Sequence, residues 1–518
     1  MRRSVSALLS LLPLVVVLTA CGRGSRHSVD SLADVQEWVS PEYAVDGGRI
    51  KSEIGHQLGM LGRGMYADSY THSYYNRDDA PMLWVTRMGV IPSADTLLAN
   101  IEATGDIGLY SDVFHVDTLK ALLDKMQRHD FAENEASRVL GRLECMLTHA
   151  YLRYACGQRY GYMRPGKVMN HLLVDPPAPG EVRRTVVYRQ IYDHGSEEVT
   201  DSFVHHALEQ VRGHRLTDFL REVQPADTLY RRLLGEYRQA KDKADTTRIR
   251  LARINLERAR WRYPHPSGGR YIFVNLAGQE LTAVNAQRDT VLNMRVCCGN
   301  RSHKTPLLHS AIRYVELNPY WVIPQTIVRK EILPYHVGDY DYFTRNNYRA
   351  IDKDTHEELD PGDLTAGDLR SGRYTLRQEN GAGNSLGRII FRFPNNFSVY
   401  LHDTNNHRAF HYGNRAISHG CVRVERPLDL ALFFLDNPTA FYIDRIRMAI
   451  DLPPLTAQGK QYKAAHPDAR PMGSFSFAEP VPVWLDYWTL YPTPGGAFRT
   501  YEDNYGYDAV IEDNLKKI

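Results

Sequence analysis

The sequence predicts an α+β protein in which a helical first half precedes a mostly β second half. Apolar residues recur at helical spacing over residues 136–154, and this stripe is the clearest element of the first half. Beyond a turn-rich loop near Ser267 the apolar period changes to two, which is typical of β-strands. With 518 residues the chain is also too long for one core and suits two or three domains.

Weaker patterns extend this division along the chain. Further helices are predicted over residues 96–126, 202–223, 226–240 and 248–260, and a short one over residues 426–435. Strands are predicted over residues 271–275, 280–284, 291–297, 388–393 and 397–402. Residues 337–373 are polar and loop-like, and so long a connection predicts a lid or insertion.

The first twenty residues have the composition of a signal peptide. Arg2 and Arg3 precede an apolar run, residues 7–20, that is too short to span a bilayer. The run ends in Leu18-Thr19-Ala20-Cys21, a lipobox pattern, so Cys21 is predicted to carry lipid; the alternative is a signal peptide with a chance cysteine. This predicts a lipoprotein with its body in the periplasm, anchored in the outer membrane in preference to the inner.

The charge and the remaining cysteines narrow the class of protein. The formal net charge is +2, and nothing in the composition indicates a nucleic-acid partner. After Cys21 there are five cysteines, an odd number that indicates a free thiol in an exported protein. Cys145 and Cys156 lie about 16 Å apart along one predicted helix, which is too far for a disulfide bond between them. They are predicted to be core residues. The adjacent Cys297 and Cys298 are predicted to point to opposite faces of a strand.

His402 and Cys421 form the most specific chemical pattern in the chain. A thiol is a nucleophile only as a thiolate, and a nearby histidine can supply the base. His402 ends a strand-like run and Cys421 follows 19 residues later, so a loop can bring the two together. Gly420 permits close approach of the backbone, and amides around Gly420 and Cys421 are predicted to face a developing oxyanion. On the residues alone, a buried thiol near a chance histidine is the alternative.

The pattern of His402 followed by Ser418-His419-Gly420-Cys421 resembles the signature of YkuD-type L,D-transpeptidases. Flanking stretches are similar to the large YcbB-like branch of that family. These stretches are Asn255-Leu256-Glu257-Arg258, Thr305-Pro306, Asn318-Pro319-Tyr320-Trp321, Arg329-Lys330-Glu331-Ile332-Leu333-Pro334, Leu386-Gly387-Arg388 and Tyr400-Leu401-His402-Asp403-Thr404. Members of this branch usually carry a small peptidoglycan-binding module before the catalytic domain, and no such module is recognisable in this sequence.

The resemblance implies a domain organisation. It comprises a lipoprotein signal peptide (1–20), a lipidated tether (21–42), a helical scaffold domain (43–266), a mostly β L,D-transpeptidase catalytic domain (267–455, with the lid at 337–373) and a C-terminal extension packing on it (456–518).

The resemblance also implies a reaction without metal or organic cofactor. Cys421 would attack the third residue of a peptidoglycan tetrapeptide stem, expel the terminal D-alanine and form a thioester. An amine from a second stem would then resolve the thioester and give a 3-3 crosslink. His402 would be the general base, with His419 and Gly420 shaping the site and the oxyanion pocket.

Four further residues are candidate substrate contacts, namely Ser418, Arg423, Tyr320 and Trp321. For Arg423 the alternative is an ion pair with Glu425 or another nearby acid. For Tyr320 and Trp321, packing is the favoured alternative. Either the backbone carbonyl or the carboxylate of Asp403 could orient His402, and the sequence does not separate the two.

Three other functions compete with crosslinking. Water could resolve the same thioester, which would give an L,D-carboxypeptidase or an endopeptidase. A structural lipoprotein could bind the wall without catalysis. A zinc hydrolase could use His402, His407, His411, His419 and Cys421, although the sequence contains no His-Glu-x-x-His or Cys-x-x-Cys element. The sequence names no protein partner.

Overall fold

A helical domain precedes a mostly β domain in the computed structural model, as the sequence predicts. The structure describes residues 30–37, 39–40, 45–62, 64–132, 135–172, 190–262 and 269–517. Cys21 and the predicted signal peptide lie outside these ranges. Within them, none of the helices has the length and apolar content needed to cross a membrane.

The helical domain is built around one long helix, α5. Its helices are α1 (Gly47–Met60), α2 (Tyr66–Tyr75), α3 (Ser93–Glu102), α4 (Val116–Arg128), α5 (Glu135–Tyr160), α6 (Pro165–Met169), α7 (Asp201–Arg212), α8 (Leu216–Glu222), α9 (Thr228–Asp242) and α10 (Thr246–Arg260). Its strands are the short β1 (Val39–Ser40), β2 (Val45–Asp46), β3 (Val85–Thr86), β4 (Gly89–Val90) and β5 (Tyr192–Asp193). Six of the other helices, α1, α2, α3, α4, α7 and α10, pack on α5. This explains why its apolar stripe is the strongest sequence signal.

Two of the predicted helices are each divided in the structure. Residues 96–126 form α3 and α4, and the break contains Gly108 at a φ of 82°, a conformation that favours glycine. Residues 202–223 form α7 and α8, and Gly213 ends the first of them. A continuous apolar pattern therefore predicted the helical content here but not the helix ends.

The second half contains the remaining strands and helices. The strands are β6 (Tyr271–Asn275), β7 (Glu280–Val284), β8 (Thr290–Gly299), β9 (Leu307–Leu317), β10 (Trp321–Val322), β11 (Tyr348–Asp352), β12 (Glu358–Leu359), β13 (Tyr374–Gln378), β14 (Ile389–Arg392), β15 (Leu401–His402), β16 (Ala416–Ser418), β17 (Val422–Val424), β18 (Ser474–Asp486), β19 (Leu490–Pro492) and β20 (Phe498–Thr500). The helices are α11 (Gln325–Ile327), α12 (Tyr340–Arg345), α13 (Ala366–Ser371), α14 (Pro427–Phe433), α15 (Ala440–Ala449), α16 (Ala457–Ala465) and α17 (Tyr507–Leu515).

The main sheet of the β domain closes on itself. Its strand order is β14-β15-β17-β8-β7-β6-β18-β9, and β9 pairs back onto β14. Closure leaves no free edge along this path and encloses an apolar core. The short strand β5 of the helical domain adds to β9 in parallel, which connects the two domains.

The C-terminal extension, which the sequence predicted to pack on the catalytic domain, contributes a strand to this sheet. Strand β18 runs parallel to β6 and antiparallel to β9, so it is a central strand. It contains Pro480 and Pro482, and its register against β9 shifts between Ser476 and Val481. Prolines argue against a central strand in sequence analysis, and the irregular register accommodates them.

The end of α10 joins the helical domain to the C-terminal extension. The fully buried carboxylate of Glu257 accepts the backbone N–H groups of Tyr162 at 2.7 Å and Met163 at 3.0 Å. The next residue, Arg258, forms a buried ion pair with Asp508 of α17 at 2.7 Å. Removing one partner of such a pair typically costs about 3–5 kcal/mol, because the other charge stays buried. This stretch therefore has a structural role in the molecule.

The predicted lid is a small folded unit, here called the insertion (residues 321–378). The sequence predicted a loop over residues 337–373, but the segment forms α12, α13 and a four-stranded sheet of order β10-β13-β11-β12. Its apolar residues are far apart in the sequence, which explains why the loop prediction was wrong. They form a separate core of Ile323, Val328, Ile332, Phe343, Tyr348, Ala350, Leu364, Leu369 and Leu376.

The five described cysteines are all free. Cys145 and Cys156 are buried in the main core, as the sequence predicts. Cys298 also faces the main core, whereas Cys297 packs against Ala409 and Phe410 in a separate cluster, so the two adjacent residues do point to opposite sides. Cys421 differs from the other four, because it is partly exposed.

Candidate active site

The pairing of β15 with β17 puts His402 and Cys421 on one face of the sheet. The strands are parallel, with Leu401 opposite Val422 and His402 opposite Arg423. Residues that are opposite each other share a face, and so do residues two apart along a strand, so Cys421 lies diagonally from His402. A separation of two residues along a strand and one strand across the sheet corresponds to about 8 Å between Cα atoms. Side chains that carry rings can bridge this diagonal distance.

A tight turn bounded by two hydroxyl groups presents the cysteine. The Ser418 hydroxyl accepts the N–H of Gly420 at 3.1 Å and donates to the carbonyl of Cys421 at 2.5 Å. On the other side, the Thr305 hydroxyl donates to the carbonyl of Gly420 at 2.8 Å. Gly420 has a φ of 120°, which a residue with a side chain rarely adopts.

This turn corrects two expectations about the site. Ser418 is 2% exposed and uses its hydroxyl within the turn, so it supports the loop and is not available to substrate. The N–H of Gly420 is bound to Ser418, and the N–H of Cys421 has no hydrogen-bond partner among the described residues. Of the two amides that the sequence singled out, the one that the turn leaves available as a candidate oxyanion donor is therefore that of Cys421.

Burial keeps both candidate catalytic groups neutral. His402 is 4% exposed, and burial, with a smaller contribution from Arg423, lowers the pKa of its imidazole to about 4. Burial also raises the pKa of the Cys421 thiol, an effect that the nearby Tyr400 amide and Arg423 partly oppose. At neutral pH the resting pair is therefore a thiol and a neutral imidazole, and the imidazole is in the state that can accept a proton.

This protonation state predicts how the thiol reacts in the free protein. The alkylation rate with iodoacetamide is expected to rise through alkaline pH with a midpoint above that of an ordinary thiol, because only the thiolate reacts. Burial raises the pKa of Cys145, Cys156 and Cys298 to about 12 and also raises the pKa of Cys297, so among the described cysteines the label reports Cys421. The measurement is adduct mass against time at several pH values, with Cys421→Ala as the unlabelled control. A rate that is already maximal near neutral pH would contradict a neutral resting pair.

The carboxylate of Asp403 does not orient His402. Its Oδ2 accepts the N–H of Arg388 at 2.8 Å, and its Oδ1 lies 3.7 Å from Nε2 of His407. The carbonyls of Asp403 and Leu386 act on the imidazole instead, and both raise its pKa against the effect of burial. Of the alternatives that the sequence left open, the backbone carbonyl is therefore the one that acts on the pKa of the imidazole.

Glycine at position 387 makes this arrangement possible. A Cβ atom there would lie 2.4 Å from the side chain of Asp403, and the residue has a φ of 63°. Asp403 is 6% exposed, and burial raises the pKa of its carboxyl. The carboxyl thus fixes the backbone of residues 386–388 beside His402 and acts on the histidine indirectly.

Arg423 supplies a positive charge between the two candidate catalytic groups. The sequence offered an ion pair with Glu425 as the alternative, but Glu425 is bound by Arg295, whose Nε lies 2.9 Å away. The Nε of Arg423 is buried and has no hydrogen-bond partner among the described residues. Its charge lowers the pKa of both His402 and Cys421. The site therefore contains a guanidinium that is suited to an anionic substrate group.

The insertion reaches the cysteine loop through His419. Nε2 of His419 lies 2.8 Å from a carboxylate oxygen of Glu331, which is in a short π-helical segment of the insertion (Val328–Ile332). The His419 ring also contacts the ring of His303 at 5.0 Å between centroids. Sequence analysis assigned no role to Glu331 or Thr305, although both lie in the stretches that carry the family resemblance.

Trp321 is the first residue of the insertion, and Tyr320 immediately precedes it. Trp321 pairs with Gln378 in the insertion sheet and packs on the insertion core. Tyr320 is 46% exposed, and the guanidinium of Arg377 covers its ring at 4.4 Å. No described contact links either residue to Cys421, which favours the packing alternative. Among the described residues, no group of three or more His, Cys, Asp or Glu side chains is arranged to hold a metal ion.

Comparison with known proteins agrees with this architecture. A family model described as the L,D-transpeptidase catalytic domain matches residues 269–443, and one described as the Scaffold domain matches residues 69–236. A Haemophilus influenzae protein named "Putative L,D-transpeptidase" is 31% identical over 231 residues, which cover 44% of this chain and 46% of that protein. The chain thus contains a YkuD-type L,D-transpeptidase catalytic domain preceded by the scaffold domain of the YcbB-like architecture.

Proposed function

We propose that this protein forms 3-3 crosslinks between peptidoglycan stem peptides through a cysteine thioester. The observation that carries the proposal is the shared sheet face of His402 and Cys421, together with the family of the domain that contains them. A partly exposed thiol beside a buried, neutral imidazole is the arrangement that nucleophilic acyl transfer requires.

In the first half-reaction a tetrapeptide donor acylates the cysteine. The imidazole of His402 takes the thiol proton as the Cys421 sulfur attacks the carbonyl of the third residue. The carbonyl oxygen becomes an oxyanion, and the N–H of Cys421 stabilises it. When the tetrahedral intermediate collapses, the bond to D-alanine breaks, and His402 returns the proton to the departing amine. The products are free D-alanine and a thioester.

In the second half-reaction the acceptor releases the enzyme. The side-chain amine of a second stem attacks the thioester carbonyl, and His402 takes a proton from the attacking nitrogen. The carbon–sulfur bond then breaks, and the proton returns to the Cys421 sulfur. The new amide is the crosslink. Water in place of the amine would give hydrolysis, so the choice of acceptor decides between the two outcomes.

Two features give the site its selectivity in this proposal. Arg423 binds a stem carboxylate through its fork of N–H donors, because it lies beside both reacting groups and has no carboxylate partner among the described residues. The insertion, which contacts the cysteine loop through Glu331 and His419, excludes water and positions the acceptor amine.

We place this activity in the cell envelope. The lipobox before Cys21 supports a membrane-anchored lipoprotein whose body is in the periplasm, where its substrate is found. Cell fractionation tests this point: Cys21→Ser should move the protein from the membrane fraction to the soluble fraction. Recovery of the variant in the membrane fraction would contradict lipid anchoring.

Analysis of muropeptide products tests the proposed reaction. Purified protein incubated with tetrapeptide muropeptides is expected to give crosslinked dimers and D-alanine. Arg423→Gln is expected to raise KM for the donor by about tenfold or more, since one charge-assisted contact is lost. Arg295→Gln is the matched control, because it alters an arginine that is paired with Glu425 away from the sulfur. Tripeptide without dimers would identify a hydrolase, and no product at all would favour a non-catalytic wall protein.

A further inference from the structure

The loop beneath the nucleophile contains a buried threonine whose hydroxyl has two partners. Thr305 is fully buried. Its Oγ1 donates to the carbonyl of Gly420 at 2.8 Å and accepts the N–H of Gly299 at 2.9 Å. The contact with Gly420 joins residues 115 positions apart in the sequence, so it exists only in the folded protein.

This contact fixes the orientation of the peptide bond that contains the amide of Cys421. In a trans peptide the C=O and N–H groups point in opposite directions. The carbonyl of Gly420 points inward to the Thr305 hydroxyl, so the N–H of Cys421 points away from it and keeps no partner among the described residues. Gly420 has no side chain to resist rotation of this peptide, so the hydrogen bond holds it in place.

We propose that Thr305 is a positioning residue that aims the N–H of Cys421 at the oxyanion formed during acyl transfer. The inference rests on the function proposed above. The hydrogen bonds of Thr305 to the described residues include none to the sulfur or to the imidazole. Its hydroxyl therefore affects reactions in which a carbonyl oxygen gains negative charge and has no effect on the nucleophilicity of the thiol.

The C-terminal extension holds Thr305 in place. The hydroxyl of Tyr505 accepts the N–H of Thr305 at 3.2 Å and donates to the carbonyl of Gly299 at 2.7 Å. The N–H of Tyr505 in turn donates to the hydroxyl of Tyr487 at 3.0 Å. A continuous series of hydrogen bonds thus runs from the last part of the chain to the cysteine turn, which gives the extension a part in catalysis.

Two electrophiles distinguish this role from a general structural one. A carbapenem acylates the sulfur through a tetrahedral oxyanion, whereas iodoacetamide alkylates it by displacement and forms none. Thr305→Val keeps the shape of the side chain and removes the hydroxyl. Because losing an oxyanion donor lowers rates by about 10²–10³, misaiming it is expected to slow carbapenem acylation of Cys421 by about tenfold or more. The iodoacetamide rate should not change, and Thr305→Ser should restore acylation.

Further variants keep the outcome decisive. Tyr505→Phe removes the hydroxyl that holds Thr305 in place but leaves the Thr305 hydroxyl itself. A smaller decrease in the carbapenem acylation rate is expected, again with no change in the iodoacetamide rate. If Thr305→Val does not fold, Thr305→Ala compared with Thr305→Ser gives the same contrast. Unchanged acylation, or an equal loss in both reactions, would overturn the role of Thr305. Failure of the wild type to be acylated at Cys421 would instead overturn the proposed function.

Discussion

Replacing Cys421 with alanine is expected to eliminate crosslink formation, with a loss of about 10⁴-fold or more in turnover. In the proposed mechanism the sulfur forms the bond to the donor, and removing a covalent nucleophile leaves only what binding and the oxyanion donor contribute. The variant should keep its fold, because Cys421 is partly exposed and its hydrogen bond to the carbonyl of Ser398, at 3.8 Å, is weak. The measurement is the initial rate of dimer formation from tetrapeptide muropeptides.

Cys297→Ala is the matched control for this experiment. Cys297 is also on the strands around the site, but its side chain is fully buried against Ala409 and Phe410. Its loss is expected to lower stability slightly and to leave turnover and thiol labelling intact. Dimer formation that survives Cys421→Ala would exclude Cys421 as the nucleophile. So would dimer formation that is lost in a fully folded Cys297→Ala variant but kept in Cys421→Ala.

Replacing His402 with glutamine is expected to lower kcat/KM by about 10²–10⁴, the usual contribution of a general base. The residual activity should rise with pH, because without a general base only the ionised form of the thiol reacts. Burial holds the pKa of the Cys421 thiol above its ordinary value, so this rise should lie at alkaline pH. In the wild type, activity should fall on the acid side as the imidazole is protonated. That imidazole has a pKa of about 4 in the free protein, so the fall lies well below neutral pH.

His407→Gln provides the comparison for the second experiment. His407 is five residues from His402 in the sequence, its side chain is 62% exposed, and it lies 3.7 Å from Asp403 rather than beside the sulfur. Its replacement is expected to leave the pH profile unchanged. Equal losses in the two variants, or a His402→Gln profile that still falls at acid pH like that of the wild type, would remove His402 from the mechanism.

The helices could be predicted, and the candidate catalytic pair could be singled out, because their signals are local. The stripe over residues 136–154 corresponds to α5, and the alternating runs at 271–275 and 280–284 correspond to β6 and β7. His402 and Cys421 stood out because a histidine and a Ser-His-Gly-Cys turn form a pattern in the sequence itself. What local patterns left open was the pairing of β15 with β17, which decides that the two side chains share a face.

Apart from the local turn at Ser418, the missed features depend on contacts between distant segments. Strand β18 was hidden by its prolines, and its place between β6 and β9 depends on residues about 160 to 210 positions away. The insertion reads as a loop because the residues of its small core are scattered from Ile323 to Leu376. Ser418 was expected to contact substrate, but the turn uses its hydroxyl internally. Thr305 carried no chemical signal, since its partner, Gly420, lies 115 residues away.

Mass spectrometry of the protein with a donor tetrapeptide and no acceptor is the most direct test of the central claim. Because a thioester must precede any transfer, the account predicts an adduct with the mass of the donor minus D-alanine. Proteolysis should locate this adduct on the peptide that contains Cys421, and hydroxylamine should remove it. An adduct on another residue, or dimer formation without any covalent intermediate on the protein, would contradict the account.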